Sequence, residues 1–220
     1  MTDITYTVIR SNRKSIALVI GNDANLIVRA PQKASDKEIT DLVHKKERWI
    51  KEKQNQVSIF GEKHSPLILN SGESVLYLGN IYTIIRGAVD EIVITGTIMM
   101  IPLVFQKSDV IGWMKAEAER VLSERVKKYS SLTGTSYSSL RLSDAKARWG
   151  SCGANGSLNF AWRLVMCPIS VIDYIVVHEL SHIAYKNHSE GFWARVKTVL
   201  SNYTEQQDWL KINRKIMDTI

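Results

Sequence analysis

The sequence predicts an α+β protein, in which a β-rich N-terminal part of residues 1–107 precedes a helix-rich part of residues 108–220. Three observations carry that expectation. Short apolar stretches broken by glycine occupy much of the first hundred residues, helical spacing sets in near Ser108, and a strongly apolar helical stretch follows Pro168. The boundary is soft, and the two parts could pack as one unit.

In chain order, Ile4 to Val28 reads as the two strands of a hairpin that ends at Pro31. In "SDKEITDLVHKKERWIKEKQNQV", Ser35 is placed as an N-cap with Glu38 three residues on. Ile39, Leu42, Val43, Trp49 and Ile50 follow at helical spacing, which predicts one amphipathic helix. "SVLYLGNIYTIIRG" and "DEIVITGTIMMIPL" read as short strands joined by glycine turns, the composition of antiparallel sheet. Asp109 to Ser130 is expected to be helical, on the spacing of Trp113, Ala116, Val121, Leu122 and Val126. Ser139 to Trp162 reads as a hairpin joined through "GANG".

Composition narrows the class. A hydrophobic content of 45% with 23% charged residues is that of a globular protein, and no apolar run approaches the length of a membrane span. The N-terminus lacks the form of a secretory signal, and the two cysteines, Cys152 and Cys167, make no CxxC pair, so a cytoplasmic location without membrane attachment is expected. The net charge of +7 favours polyanions, although the excess lysines are scattered, as on an ordinary solvated surface. His44 and His64 read as ordinary polar residues.

The most informative stretch is "VVHELSHIAYKNHSEGFW", Val176 to Trp193, which holds three of the five histidines. Ser170 and Asp173 after Pro168 form a capping-box pattern at the start of its helix, and Ile172, Ile175, Val176, Leu180 and Ile183 share one face. His178 and His182 lie one turn apart, so their imidazoles project side by side and can share a zinc ion at roughly 2.0 to 2.1 Å each. Glu179 comes next round the helix, placed to take a proton from a metal-activated water without being a ligand. His188 is the candidate third ligand, reached by a chain reversal in which Asn187 tolerates the left-handed conformation, with Ser189 capping the next helix and Phe192 and Trp193 packing beneath. Histidines at this spacing also occur by coincidence. With this composition, however, HExxH would arise by chance only on the order of 0.01 times.

"RWGSC", "SLNFAWRLVMCP" and "IDYIVVHELSHIAYKNHSEGFW", in that order and spacing, closely resemble the YgjP-like metallopeptidase family. This is also known as the domain-of-unknown-function 45 family and is related in active-site layout to SprT-like and M48-like zinc proteases. Looser counterparts extend to "APQKASDKEITDLVHKKERWI" and "YLGNIYTIIRG". The resemblance implies a zincin-like catalytic region with a small antiparallel hairpin or sheet beside the HExxH helix. It places one Zn2+ per chain on His178, His182 and His188, with Glu179 as the catalytic carboxylate.

Other residues near the motif are weaker candidates. Tyr185 or Tyr174 could donate to an oxyanion, and Arg148 and Trp149 in "ARWGSC" could contact substrate, each being at least as readily explained by packing. The strand containing "RWGSC" could accept an extended polypeptide as an added strand. Ser151 lacks the elbow of a nucleophilic serine, Cys152 is a minor candidate for a fourth, closing zinc ligand, and Asp173 or Asp144 could orient the imidazoles. The function expected is zinc-dependent hydrolysis of a peptide or protein substrate. Two others compete with it: hydrolysis of a nucleotide phosphoanhydride, for which no glycine-rich phosphate loop is present, and a nucleic-acid-binding module with a structural zinc. The last would use "KKERWIKEK" and "RWGSC" as its basic surface, and SprT-like relatives combine proteolysis with DNA contact.

Overall fold

The structure is a computed structural model that describes residues 4–20, 24–61 and 70–214; His64 lies outside the described residues. The chain forms two compact units, Met1–Pro66 and Leu67–Ile220. The boundary expected at residue 107 falls inside the second unit, because the strands before it pack on the helix after it.

In the first unit the expected hairpin is a three-stranded sheet. Strands β1 (Tyr6–Ser11), β2 (Ala17–Ile20) and β3 (Leu26–Pro31) lie in the order β1-β3-β2, with β3 parallel to β1 and antiparallel to β2. β3 takes the centre because Leu26, Val28 and Ala30 alternate into the core and are fully buried, whereas most of β1 is exposed, as suits an edge. Helix α1 (Asp36–Lys45) starts at the expected capping box, in which the Glu38 amide donates to Ser35 Oγ at 3.2 Å and the Ser35 amide donates to Glu38 Oε2 at 2.8 Å. The single helix expected here is broken at Lys46, whose amide is shared between the Leu42 and Val43 carbonyls. Helix α2 (Glu47–Gly61) follows. Ile39, Val43 and Ile50 close this core against β2 and β3.

The second unit opens with strands β4 (Ser74–Tyr77), β5 (Asn80–Gly87), β6 (Val93–Thr95) and β7 (Ile98–Pro102) in the order β4-β5-β7-β6. Each of the two hairpins is antiparallel, as expected, but they join through a parallel β5–β7 pair, so the sheet is mixed. Helix α3 (Lys107–Thr133) buries Val110, Met114, Ala118, Val121, Leu122 and Val126 along one stripe and stops at Gly134, whose φ of 63° is left-handed. Tyr77 ties the sheet to α3, with its ring 5.1 Å from Trp113 and its hydroxyl donating to Glu117 at 2.6 Å.

Next come β8 (Ser139–Ser143), β9 (Gly150–Cys152) and β10 (Ser157–Ala161) in the order β8-β10-β9. The hairpin through "GANG" is β9–β10. β8, expected as part of its first arm, pairs parallel with β10 instead, which leaves β9 at the edge. A buried 3₁₀ turn, Trp162–Met166, leads into helix α4 (Ile169–Ala184), followed by α5 (Glu190–Val199) and α6 (Tyr203–Ile212). No helix among the described residues is long and apolar enough to cross a membrane.

The start of α4 is held by the tip of the β4–β5 hairpin. Leu78 and Gly79 both have positive φ, 49° and 80°, and their amides donate to the Val165 and Met166 carbonyls at 2.7 and 3.1 Å. A Cβ on Gly79 would lie 2.7 to 2.9 Å from Pro168, backbone included, whereas one on Gly96 (φ 57°) would meet nothing within 4 Å. Gly79→Ala is therefore expected to destabilise the protein by at least about 2 kcal/mol and Gly96→Ala by about 1 kcal/mol. Urea denaturation of the two variants beside the parent measures both, and equal losses would contradict the role assigned to the Pro168 contact.

Candidate metal centre

α4 is buried almost all round, from Val171 through Val177 and again at Leu180 and Ser181, so it runs through the core of its unit. Its N-terminus is not capped as expected. The helix begins at Ile169, the Pro168 carbonyl accepts from Val171 and Ile172, and Ser170 makes no cap bond. Asp173 instead receives a bidentate pair from Arg125 of α3, at 2.5 and 2.6 Å, a charge-assisted bond that outcompetes a neutral cap. Neither expected carboxylate orients a histidine, since Asp144 accepts from Lys115 at 3.0 Å and Trp162 at 2.6 Å.

The three histidines converge. One ring nitrogen from each of His178, His182 and His188 lies within 4.8 Å of the others, and the Nε2 atoms of His178 and His188 are 3.0 Å apart. α4 supplies the first two, and the segment between Ala184 and Glu190 returns the third. That reversal needs no left-handed Asn187: α4 ends at Tyr185 in extended backbone (φ −124°), and His182 Nδ1 donates to the Tyr185 carbonyl at 3.0 Å. A carbonyl only accepts, so the proton of a neutral His182 is on Nδ1 and Nε2 is free to ligate. Ser189 occupies the N-cap position of α5, although its hydroxyl makes no cap bond.

Phe192, fully buried, lies under all three imidazoles at ring distances of 4.6 to 4.9 Å, and Trp193 stacks on His188 at 5.5 Å and 21°. Burial, reinforced by His182 and His188, pushes His178 down to about 3, and burial and His182 lower His188. Neutral imidazoles are the form that binds metal, so this donor set fits a divalent cation that accepts nitrogen ligands.

Glu179 is not part of the converging group. It is 5% exposed, and burial pushes its carboxyl up to about 7, with Arg148 pulling the other way. Arg148 itself is exposed on the loop before β9, while Trp149 uses its carbonyl to accept from Ala161 at 2.8 Å. Of the tyrosines, Tyr185 is exposed and packs against Gly191. The hydroxyl of Tyr174 is engaged by His178 Nδ1 at 3.4 Å and Gln207 at 3.0 Å, on the side of that ring turned from Nε2. Cys152, half-buried on β9, lies outside the ligand group and its thiol is raised by burial.

Sequence reasoning passed over Gly150, Arg125 and Gln207. A Cβ on Gly150 would sit 2.9 Å from both Cγ and Oε1 of Glu179, so β9 approaches α4 only because residue 150 has no side chain. A glycine inside a strand was the available signal. Arg125 and Gln207 are polar helix residues among many, and only contact distinguishes them.

A model of the YgjP-like metallopeptidase domain matches residues 14–213. Among solved structures, the metallopeptidase zymogen of Pyrococcus abyssi abylysin matches at 19% identity, over 40% of this chain and 90% of that one, with a TM-score of 0.38. No curated protein matched the sequence.

Arg125→Leu would leave the Asp173 carboxylate buried on α4 without its charged partner. It is expected to cost about 3 kcal/mol in urea denaturation, and to lose much less when combined with Asp173→Leu.

Proposed function

The chain belongs to the YgjP-like metallopeptidase family, a group of metal-dependent hydrolases, and from that premise we propose that it cleaves peptide bonds with one zinc ion held by His178, His182 and His188. The observation that supports this reading best is the pairing of three converging imidazoles with a separate buried carboxylate one residue along the same helix from the first of them. Zinc bound there would supply Lewis acidity toward a water molecule and the scissile carbonyl.

The remaining chemistry belongs to the chain's own side chains. Glu179 takes a proton from the attacking water as its oxygen bonds to the carbonyl carbon, and delivers that proton to the amide nitrogen as the C–N bond breaks. A carboxyl raised toward neutrality by burial suits both halves of that exchange, since it neither holds nor releases the proton too strongly. Gly150 lets β9 lie against Glu179 and so limits where the carboxylate can turn. β9, an edge strand, offers its free backbone groups to an extended substrate segment, which would bring the scissile bond beside Glu179.

Zinc content by elemental analysis and turnover of a mixed-sequence fluorogenic peptide library test this together. The parent is expected to carry one zinc per chain and His188→Ala much less. Glu179→Gln should keep its zinc and lose activity entirely, and full activity in that variant would overturn the assignment of the carboxylate. Gly150→Ala should also keep zinc while its kcat falls about 100-fold through displacement of Glu179. An unchanged kcat there would mean that β9 does not constrain the carboxylate.

A further inference from the structure

We propose that Tyr174 and Gln207 form a positioning relay that holds the His178 ring with Nε2 toward the cation, so that helix α6 governs metal affinity without touching the metal. The inference rests on the three-histidine reading above.

When Nε2 of a neutral imidazole faces a cation, its proton has to be on Nδ1, and that N–H needs an acceptor. His182 finds one in the Tyr185 backbone carbonyl at 3.0 Å. Among the described residues, His178 has no carbonyl as a hydrogen-bond partner. The atom opposite its Nδ1 is the Tyr174 hydroxyl oxygen, 3.4 Å away and one helical turn earlier on α4. A phenol can donate or accept, so by itself it would not distinguish the two tautomers of His178.

Gln207 fixes the position of that oxygen. Its side-chain amide donates to Tyr174 Oη at 3.0 Å from α6. Oη has two lone pairs, so it can accept from Gln207 and from the Nδ1–H of a cation-bound His178 together. The phenol ring is held in place. Tyr174 is 4% exposed, Tyr203 of α6 lies nearly parallel to it at 6.2 Å, and Tyr203 stacks in turn on Trp193 at 5.4 Å. Trp193 is the ring that stacks on His188. Two of the three ligands thus depend on the packing between α5 and α6.

The test is zinc affinity, measured by chelator competition on the full-length protein, for the parent, Tyr174→Phe, Gln207→Met and the double variant. The visible spectrum of the cobalt-substituted forms and the urea midpoint are recorded alongside. Tyr174→Phe keeps the ring stack and removes only Oη. It should weaken zinc binding by about 10- to 100-fold and alter the cobalt spectrum. Gln207→Met should weaken binding by a smaller factor, and the double variant should match Tyr174→Phe, because Gln207 acts only through Oη. Parent-like zinc affinity in Tyr174→Phe would overturn the relay. So would a Gln207→Met loss of the same size with Phe at 174, which would place the effect of Gln207 elsewhere. If Tyr174→Phe does not fold, Gln207→Met decides alone, and unchanged affinity in it overturns the proposal. A parent that takes up no zinc would instead refute the three-histidine reading on which the relay rests.

Discussion

Desolvation along α4 is the constraint from which the site follows. A helix enclosed on nearly every side has to bury Asp173, Glu179 and part of His178 along with its apolar residues, and each buried polar group needs a partner or has to give up its charge. The three groups resolve this differently. Asp173 is met by two hydrogen bonds from Arg125, burial moves Glu179 toward the protonated form, and burial keeps His178 neutral. The environment that would merely penalise these groups in a structural helix is the one that the proposed metal-ligand role of the imidazoles and the proposed proton-carrier role of the carboxylate require.

Such a helix has to be located accurately, and several elements share the task. The Leu78–Gly79 turn bonds to the 3₁₀ segment just before α4, Arg125 anchors the first turns from α3, and Gly150 sets the separation from β9. Beyond the motif, Phe192 and Trp193 form an aromatic floor. Arg195, on the same helix α5, donates to Thr135 Oγ1 just past the end of α3. The return segment that carries His188 is therefore fastened at both ends by packed helices rather than left as a free loop.

Much of this was legible in the sequence because local rules governed it. The Ser35–Glu38 capping box, the 3.6-residue stripe of α3 and the one-turn spacing of His178 and His182 involve neighbours a few residues apart, which patterning encodes directly. The errors fall where distant partners intervene. Ser170 and Asp173 have the spacing of a cap, but Asp173 is claimed by an arginine 48 residues away. β8 looks like one arm of a hairpin, but pairs directly and in parallel with β10, with β9 intervening only in sequence. Likewise β3 is central because its alternate residues are all buried, an outcome of the whole sheet rather than of any one strand.

By itself, then, the sequence determined the chemistry available here: two histidines and a glutamate at helical spacing, a third histidine ten residues on, and an apolar helix to carry them. These are properties of composition and period, which survive without knowledge of the fold. Tertiary structure alone decided how far the glutamate is desolvated, which strand lies against it, and which atoms sit behind the imidazoles. Burial, register and hydrogen-bond partnership depend on residues far apart in the chain, and become defined only when the sheets and helices of the unit close around α4.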